Sequence, residues 1–596
     1  MTVSAGKVHV VRVTKTGYVD KQGRRRDYSS AYLRRTYREG GKVRNETVAN
    51  LSALPAHVVD LIDQGLKGTP LVPAAEAVTI TRSVPHGHVA AAWAMASKLG
   101  MPGLLGPACR ERDLAMALVV SRAVAPASKL ATLAWWGDVT LGEDLGVASA
   151  TTDQVYAAMD WLAARQDSIE RQLAGKHLAP GANPSKMALL DLSSSWLEGR
   201  HCPLAARGYS RDGKKGRLQI EYALLTDPGG RPVAVRVFPG NTGDPEAFTE
   251  IVKVLREKFK LEQMVMVGDR GMITKARIEA LNQDGEGREL DAAARYGWIT
   301  ALRAPAIGKL MADGGPLQMS LFDQQNLAEI SHPDYPGERL VACRNPALAA
   351  ERGRKRRELL AATEKLLKPL IARVTAGRLS GKDNIGVEVG KVIGKYKTAK
   401  HFDITITDTS LAVRRRQAQI DTEAALDGFY VLRTPVPASQ LPATDVVSAY
   451  KNLKHVERDF RSIKSDDLDL RPVFHRLEDR VKAHVLICML ACHLTWHLRN
   501  AWAPLTYTDD QPAAPEDPVA PASRSAAAQA KASSKHDAGG RPVRSYQGLL
   551  DHLATMPRNQ VRIGSATQPI SMLTEPTPIQ RQAFELIGAP IPLTLK

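Results

Sequence analysis

Through the first 80 positions apolar and polar residues alternate. "KVHVVRV" and "SAYLRRTYREGGKVRNETVANL" carry a period of two, and Gly40-Gly41 reads as a hairpin turn. Residues 1–80 are therefore expected to form a β-rich N-terminal module. From 81 to 185 the period lengthens. "HVAAAWAMASKLGM", "DLAMALVVSRAV" and "TTDQVYAAMDWLAARQDSIERQL" place apolar residues three and four apart, which predicts helices, with Thr151 or Thr152 as an N-cap.

At 186 the pattern changes again. "KMALLDLSSSWL" reads as a buried strand ending near Asp191. "RLQIEYALLTDPGGRPVAVRVFPG" reads as a hairpin turning at Asp227-Pro228-Gly229-Gly230. "DPEAFTEIVKVLREKF" is an amphipathic helix, "QMVMVGD" a short strand ending at Asp269, "TKARIEALNQ" a helix and "GWITALRA" a strand. The order β-β-β-α-β-α-β over 186–304 suits a mixed sheet flanked by helices. Residues 305–440 interrupt it with a very basic helix, "ERGRKRRELLAATEKLLKPLIARV", and strand-like pieces "KHFDITIT" and "GFYVLRTPV", read as an inserted α+β domain. Helices return over 441–505. Residues 506–545, rich in Ala, Pro, Ser and Asp, read as a flexible linker, and 546–596 as a C-terminal tail.

Composition narrows the partners. The chain of 596 residues carries 81 Lys and Arg against 63 Asp and Glu, a formal net charge of +18. A surplus of this size favours a polyanion; a ribosome-bound or membrane-surface protein shares the same balance. Arg24, Arg25, Arg26, Arg34, Arg35 and Arg38 concentrate positive charge in the N-terminal module, either for phosphate or as a solvated face. Five cysteines in so long a chain are not a disulfide framework. The opening residues lack an apolar signal core, and no long uninterrupted apolar run is present, so a soluble cytoplasmic protein without a membrane partner is expected. A phosphate loop of the form GxxxxGK(S/T) and a GxSxG elbow are both absent. His484, Cys488 and Cys492 have a spacing of four on an apolar helix, which suits zinc or, more simply, a packed core.

The segment "YKNLKHVERDFRSIK", 450–464, holds the most pointed chemistry. On one helix at 100° per residue, Tyr450, Lys454, Glu457, Arg461 and Lys464 fall within an arc of about 80°. Val456, Phe460 and Ile463 form the buried stripe beside it. Taken singly, Glu457 is a salt-bridged surface carboxylate. Two further acids, Asp191 and Asp269, follow apolar strand segments, and the carboxyl ends of strands are where open α/β sheets place ligands. Three acids converging there would hold two divalent ions for phosphoryl transfer.

"DLSSSWLEG", "GYSRDGKKGRLQIEYALL", "FPGNTGDPEAF", "MVGDRGM" and "YKNLKHVERDFRSIK", in that order, resemble the DDE transposases of bacterial insertion sequences. The nearest likeness is to the superfamily marked by Tyr-x2-Arg-x3-Glu-x6-Lys, and "YREGGKVRNETVANL" and "RPVFH" at 471–475 match one branch of it. The resemblance implies a ribonuclease-H-like core, with Asp191, Asp269 and Glu457 as the catalytic, metal-holding acids. It implies Mg2+, with Mn2+ as a substitute, and double-stranded DNA as partner: the terminal inverted repeats and the target. A homodimer or larger complex on DNA, associated with the nucleoid, follows from joining two ends. Tyr450, Lys454, Arg461, Lys464 and Arg270 would contact DNA, and Asn241 and Asp244 would support the site. Leu453 stands where the signature has Arg, leaving the grip on the transferred strand to Lys454 or Arg461. The gap from Asp269 to Glu457 (457 − 269 = 188) fits the family's inserted domain, in which Phe429 or Tyr430 would face a flipped base. A catalytically silent nucleic-acid-binding relative and a ribonuclease-H-like nuclease of another role are the competing readings.

Overall fold

The computed structural model describes residues 6–69, 78–283, 288–291, 294–312, 315–317, 322, 326–510, 512, 517–537, 539–564 and 568–596. The chain divides into one unit of residues 1–83 with 558–573 and another of 84–557 with 574–596.

In the smaller unit, β1 (Lys7–Val19), β2 (Arg25–Glu39) and β3 (Lys42–Asn50) form an antiparallel sheet. Gly40 and Gly41 close β2 to β3 with φ of 58° and 79°, a left-handed pair that glycine adopts without a Cβ clash. Arg25, Arg35 and Arg38 of β2 are exposed, and Arg35 meets Glu46 at 2.7 Å and lies over the Tyr37 ring. The Arg26 side chain lies outside the described residues. A strand β4 (Val78–Pro85) follows and pairs in a second small sheet with strands near the C-terminus.

The larger unit begins with helices. The helix Thr152–Ala163 starts on a capping box between Thr151 and Gln154, which satisfies two backbone N–H groups reciprocally. The helix Glu478–Ala501 runs through the core, with Leu486, Ile487, Cys488 and Met489 fully buried. It is long and apolar enough to cross a membrane, but its flanks are covered by the surrounding helices and sheet. Its cysteines and histidines form no metal cluster among the described residues.

Among the described residues, eight strands share one sheet. They are β5 (Met187–Trp196), β6 (Gln219–Thr226), β7 (Pro232–Pro239), β8 (Val265–Val267), β9 (Gly297–Ala301), β10 (Leu327–Ile330), β11 (Arg339–Arg344) and, after the hairpin β12 (Phe402–Ile406) and β13 (Leu411–Arg415), β14 (Phe429–Thr434). The order is β10-β11-β14-β9-β8-β5-β6-β7. β6 runs antiparallel to both β5 and β7, while β8 and β9 run parallel to β5. This is the mixed α/β sheet that the residue pattern predicts.

Several sequence expectations are corrected. β5 does not end at Asp191 but continues to Trp196, because "SSSW" pairs with β6. Residues 305–440 are not separate from the sheet: β14 pairs antiparallel with β9, and β10 and β11 extend the ladder. Residues 506–545 do not read as a free linker. They contain a helix, Ala526–Ser534, and Val519 is fully buried. Nor is 546–596 a tail. The helix Tyr546–Ala554, strands β15 (Pro557–Ile563) and β16 (Ile570–Leu573) and the helix Pro578–Ile587 are all formed, and β15 is the partner of β4. Phe584 and Ile587 sit in the main core.

The segment 443–466 also departs from one continuous helix. It is a helix Ala443–Lys451, a break at Asn452, a helix Leu453–Arg461 and a π-turn Ser462–Asp466. A π-turn inserts extra backbone per turn and rotates everything after it.

Candidate active site

β5 and β8 pair in parallel through Met187–Val265, Ala188–Met266 and Leu189–Val267. The same offset carried two residues further sets Asp191 beside Asp269. β8 stops at Val267, so the chain turns away just where the two acids meet, and the β8 side of Asp191 is left without a ladder partner. Adjacent strands lie about 4.8 Å apart. The sequence expectation of an acid at a strand end therefore holds for Asp269, and for Asp191 on this side only.

Alternation along β5 puts Asp191, Ser193 and Ser195 on one face. Ser193 lies opposite Tyr222 of β6, and the Tyr222 hydroxyl is 3.0 Å from Ser195 Oγ. The same tyrosine ring meets Phe460 edge-on, centroids 5.6 Å apart. The helix Leu453–Arg461 thus lies over the face that carries Asp191. Val456, Phe460 and Ile463 are buried as the period predicts. Glu457 is one turn before Phe460 and is exposed, with Lys454 and Arg461 exposed beside it.

Electrostatics tie the three acids together. Burial pushes the Asp191 carboxyl up to about 7, and the negative charges of Asp269 and Glu457 add to the rise. The N–H of Leu192, 2.8 Å from Oδ1, and the Arg211 guanidinium work against it. Asp269 is exposed, and its Oδ1 accepts the N–H groups of Gly271 at 2.9 Å and Met272 at 2.7 Å. Those bonds fix its direction at the head of the turn. Tyr450 is half-buried, and burial raises its hydroxyl to about 12. Asp269, Glu457 and Asp191 all add to that rise, while Arg270 opposes it. Asp191, Asp269, Glu457, Tyr450 and Arg270 therefore share one locality.

Not every predicted residue lies in that locality. Lys464, turned inward by the π-turn, is buried with its Nζ 2.7 Å from Asp212 Oδ1. It is committed to an internal ion pair, not presented to solvent. Asn241 is exposed in the turn after the edge strand β7, which lies two strands from β5. β7 ends opposite Ile220, itself the partner of Ser195, so the structure does not bring Asn241 to the acids. The Asp244 side chain lies outside the described residues. Leu453 opens its helix and packs against the core, and it supplies no cation.

Other residues join the site unpredicted. The loop "SRDGKKG" sends Arg211 toward Asp191 and the Glu221 carboxylate, 3.3 Å away. It also sends Asp212 inward to hold Lys464 and Arg471 Nη1, the latter at 2.6 Å. Two glycines and two lysines make that stretch read as a solvated turn, which conceals its acid. Beside Arg270 and Tyr450 a cavity of about 560 Å³ reaches the inserted segment, where Phe429, Tyr430, Arg352 and Lys355 line it.

As the side chains stand, no three of His, Cys, Asp and Glu among the described residues close around a metal ion. The donor set is nevertheless three carboxylates without sulfur or imidazole, the chemistry of a hard divalent cation. Burial is the main cause of the raised Asp191 carboxyl, and the negative charges of Asp269 and Glu457 add to it; a cation held there would offset both.

Residues 198–494 match the transposase DDE domain, and residues 19–68 match the N-terminal domain of IS1634 family transposases. The first match takes in Asp269 and Glu457 and begins seven residues after Asp191. A cryo-EM structure of the piggyBac transposase synaptic complex with hairpin DNA is similar at 11% identity and a TM-score of 0.31, over 74% of this chain and 70% of that one. No curated protein matches.

Proposed function

The chain belongs to the DDE transposases of insertion sequences, with an IS1634-type N-terminal domain, and on that premise we propose that it cuts DNA at the ends of its element and joins the freed 3′-hydroxyl to target DNA. The observation that carries the reading is the β5–β8 register, which sets Asp191 beside Asp269 in the turn after β8, with the Glu457 helix seated over the same face through Phe460 and Tyr222. The strand order β7-β6-β5-β8-β9, with β8 and β9 parallel to β5, supports a ribonuclease-H-like core interrupted by the segment 305–440.

Asp191, Asp269 and Glu457 would hold the divalent ions, Mg2+ or in its place Mn2+. Bound there, the ions would supply Lewis-acid polarisation of the scissile phosphate and neutralise its developing charge. Asp191 must be ionised to act as a ligand, so a carboxyl near 7 couples its loading to the release of a proton. The backbone N–H groups of Gly271 and Met272 keep Asp269 aimed without a mobile partner. Lys454 and Arg461 flank Glu457 in solvent, where they would neutralise the DNA backbone, and Arg270 does the same beside Asp269. Tyr450 stays protonated at physiological pH and would donate a hydrogen bond to a phosphate oxygen. Double-stranded DNA is the partner, and synapsis of two ends calls for a homodimer or larger assembly.

The test is purified protein with its own terminal-repeat DNA and Mg2+ or Mn2+. Cleavage and strand-transfer products are expected, and Asp191→Asn abolishes both. Activity that survives this change removes the acid assignment. Nicks without joined products favour a nuclease of another role.

A further inference from the structure

A cavity of about 450 Å³ opens where the helix Lys129–Trp136, the segment 469–475 and the helix Glu478–Ala501 meet. Arg122, Lys129, Arg471, Phe474, His475 and His484 line it. Lys129 is 7% exposed and Arg122 5%. Lys129 Nζ lies 3.2 Å from His484 Nδ1, and it makes no ion pair among the described residues. Arg122 donates to the carbonyls of Leu468 at 3.2 Å and Ala127 at 2.9 Å, neither of which carries charge. Arg471 has Asp212, but Asp212 is already shared with Lys464. The acid of the wall is Asp469, exposed on its rim.

A buried ammonium without a counter-charge is costly. Burial, with Arg122 close by, lowers Lys129 to about 7. Ser128 caps the helix that Lys129 begins, so the positive end of that helix dipole adds to the field. At the mouth Phe474 is 67% exposed, a flat aromatic face in solvent. Val473 bridges Leu197, the residue just after β5 and six beyond Asp191. At about 3.3 Å per residue that bridge, next in the chain to Phe474 at the mouth, lies roughly 20 Å from the acid, or about six base-pair steps of B-DNA.

We propose that this cavity is a phosphate-binding site that receives a DNA backbone phosphate beyond the point of cleavage, with Phe474 against the neighbouring base. The inference rests on the transposase reading. The backbone of flanking or target DNA supplies the anion that the fold withholds from Lys129.

The experiment is anisotropy, on the full chain in EDTA across a salt series, of a duplex that carries the terminal repeat and at least ten base pairs of the DNA flanking it. Lys129→Met is expected to lower the slope of log K against log salt by about 1, and Lys129→Arg to keep it. Phe474→Ala is expected to weaken binding roughly tenfold with the slope unchanged. Because Lys129→Met removes a buried charge, its melting temperature should equal or exceed that of the wild type, which separates lost binding from lost folding. Inorganic phosphate is the second probe. It should raise the melting temperature of the wild type but not of Lys129→Met, and it should compete with the duplex. An unchanged slope with a retained phosphate response would assign the cavity to free phosphate and overturn the DNA contact. An unchanged slope with no phosphate response would overturn the site altogether. Cleavage by Asp191→Asn is read separately in Mg2+, so failure of the catalytic assignment leaves the slope result standing.

Discussion

Phe460 meets Tyr222 edge-on, ring centroids 5.6 Å apart and planes at 73°. This contact seats the Glu457 helix on the face of the sheet that holds Asp191. Phe460→Ala leaves a cavity and is expected to cost about 3–5 kcal/mol in stability. Cleavage should fall further than the folded fraction does, because Glu457 loses its seat. Urea unfolding and single-turnover cleavage on the same preparation check this.

The raised Asp191 carboxyl sets a direction for pH dependence. It ionises near 3.8 in the unfolded chain and near 7 in the folded one. Between those values the folded state holds a proton that the unfolded state has released, so stability declines as pH rises through this window and the penalty is complete above it. The penalty is on the order of 4 kcal/mol at most. In EDTA, Asp191→Asn should melt higher than the wild type at pH 8, with the gap closing toward pH 4. Mg2+ should narrow the gap at pH 8 by stabilising the wild type alone. A variant that melts lower than the wild type at pH 8 would remove the account of Asp191 as a carboxyl raised by burial and by its acidic neighbours.

Lys464 and Asp212 form a buried pair, and Arg471 shares the same carboxylate oxygen. Asp212→Ala strands two cations and is expected to cost about 3–5 kcal/mol. Lys464→Met should cost less, since Arg471 still satisfies Asp212. Neither should change the salt slope of DNA binding by the folded protein, because Lys464 does not face solvent. A slope lowered by about 1 in Lys464→Met would restore it as a phosphate contact.

Lys454 and Arg461 should behave in the opposite way. Both are exposed on the Glu457 face. Alanine at either position should change stability by about 0.5 kcal/mol or less while lowering the salt slope by about 1. Calorimetry and anisotropy together separate these two from Lys464.

Much of this arrangement can be read from the residues. The period of two in "KVHVVRV" and the glycine pair at 40–41 predict the hairpin, and "TTDQ" predicts a helix start with Thr151 or Thr152 as its cap, because both signals are local. The β-β-β-α-β-α-β order is legible for the same reason. What escapes is set by long-range packing. "AYKNLKHVERDF" keeps a helical period straight through Asn452, where the chain nonetheless breaks, and nothing in "SIKSD" announces a π-turn. The inward turn of Lys464 follows from that extra backbone. Residues 506–545 have the composition of a linker, yet Asn345 Nδ2 donates to the carbonyl of Val519 at 3.0 Å and Lys451 Nζ to that of Ala520 at 2.7 Å. Two side chains from distant segments hold the stretch down, and its own composition gives no sign of them.

The union of the segment 305–440 with the main sheet has a practical consequence for dissecting this protein. β14 pairs with β9, and β11 and β10 build outward from it. A trimmed fragment in which residues 305–440 are replaced by a short connector would leave β9 with bare N–H and C=O groups, the template on which chains stack into aggregates. A soluble minimal nuclease from this chain must therefore keep β14 or blunt that edge with charge.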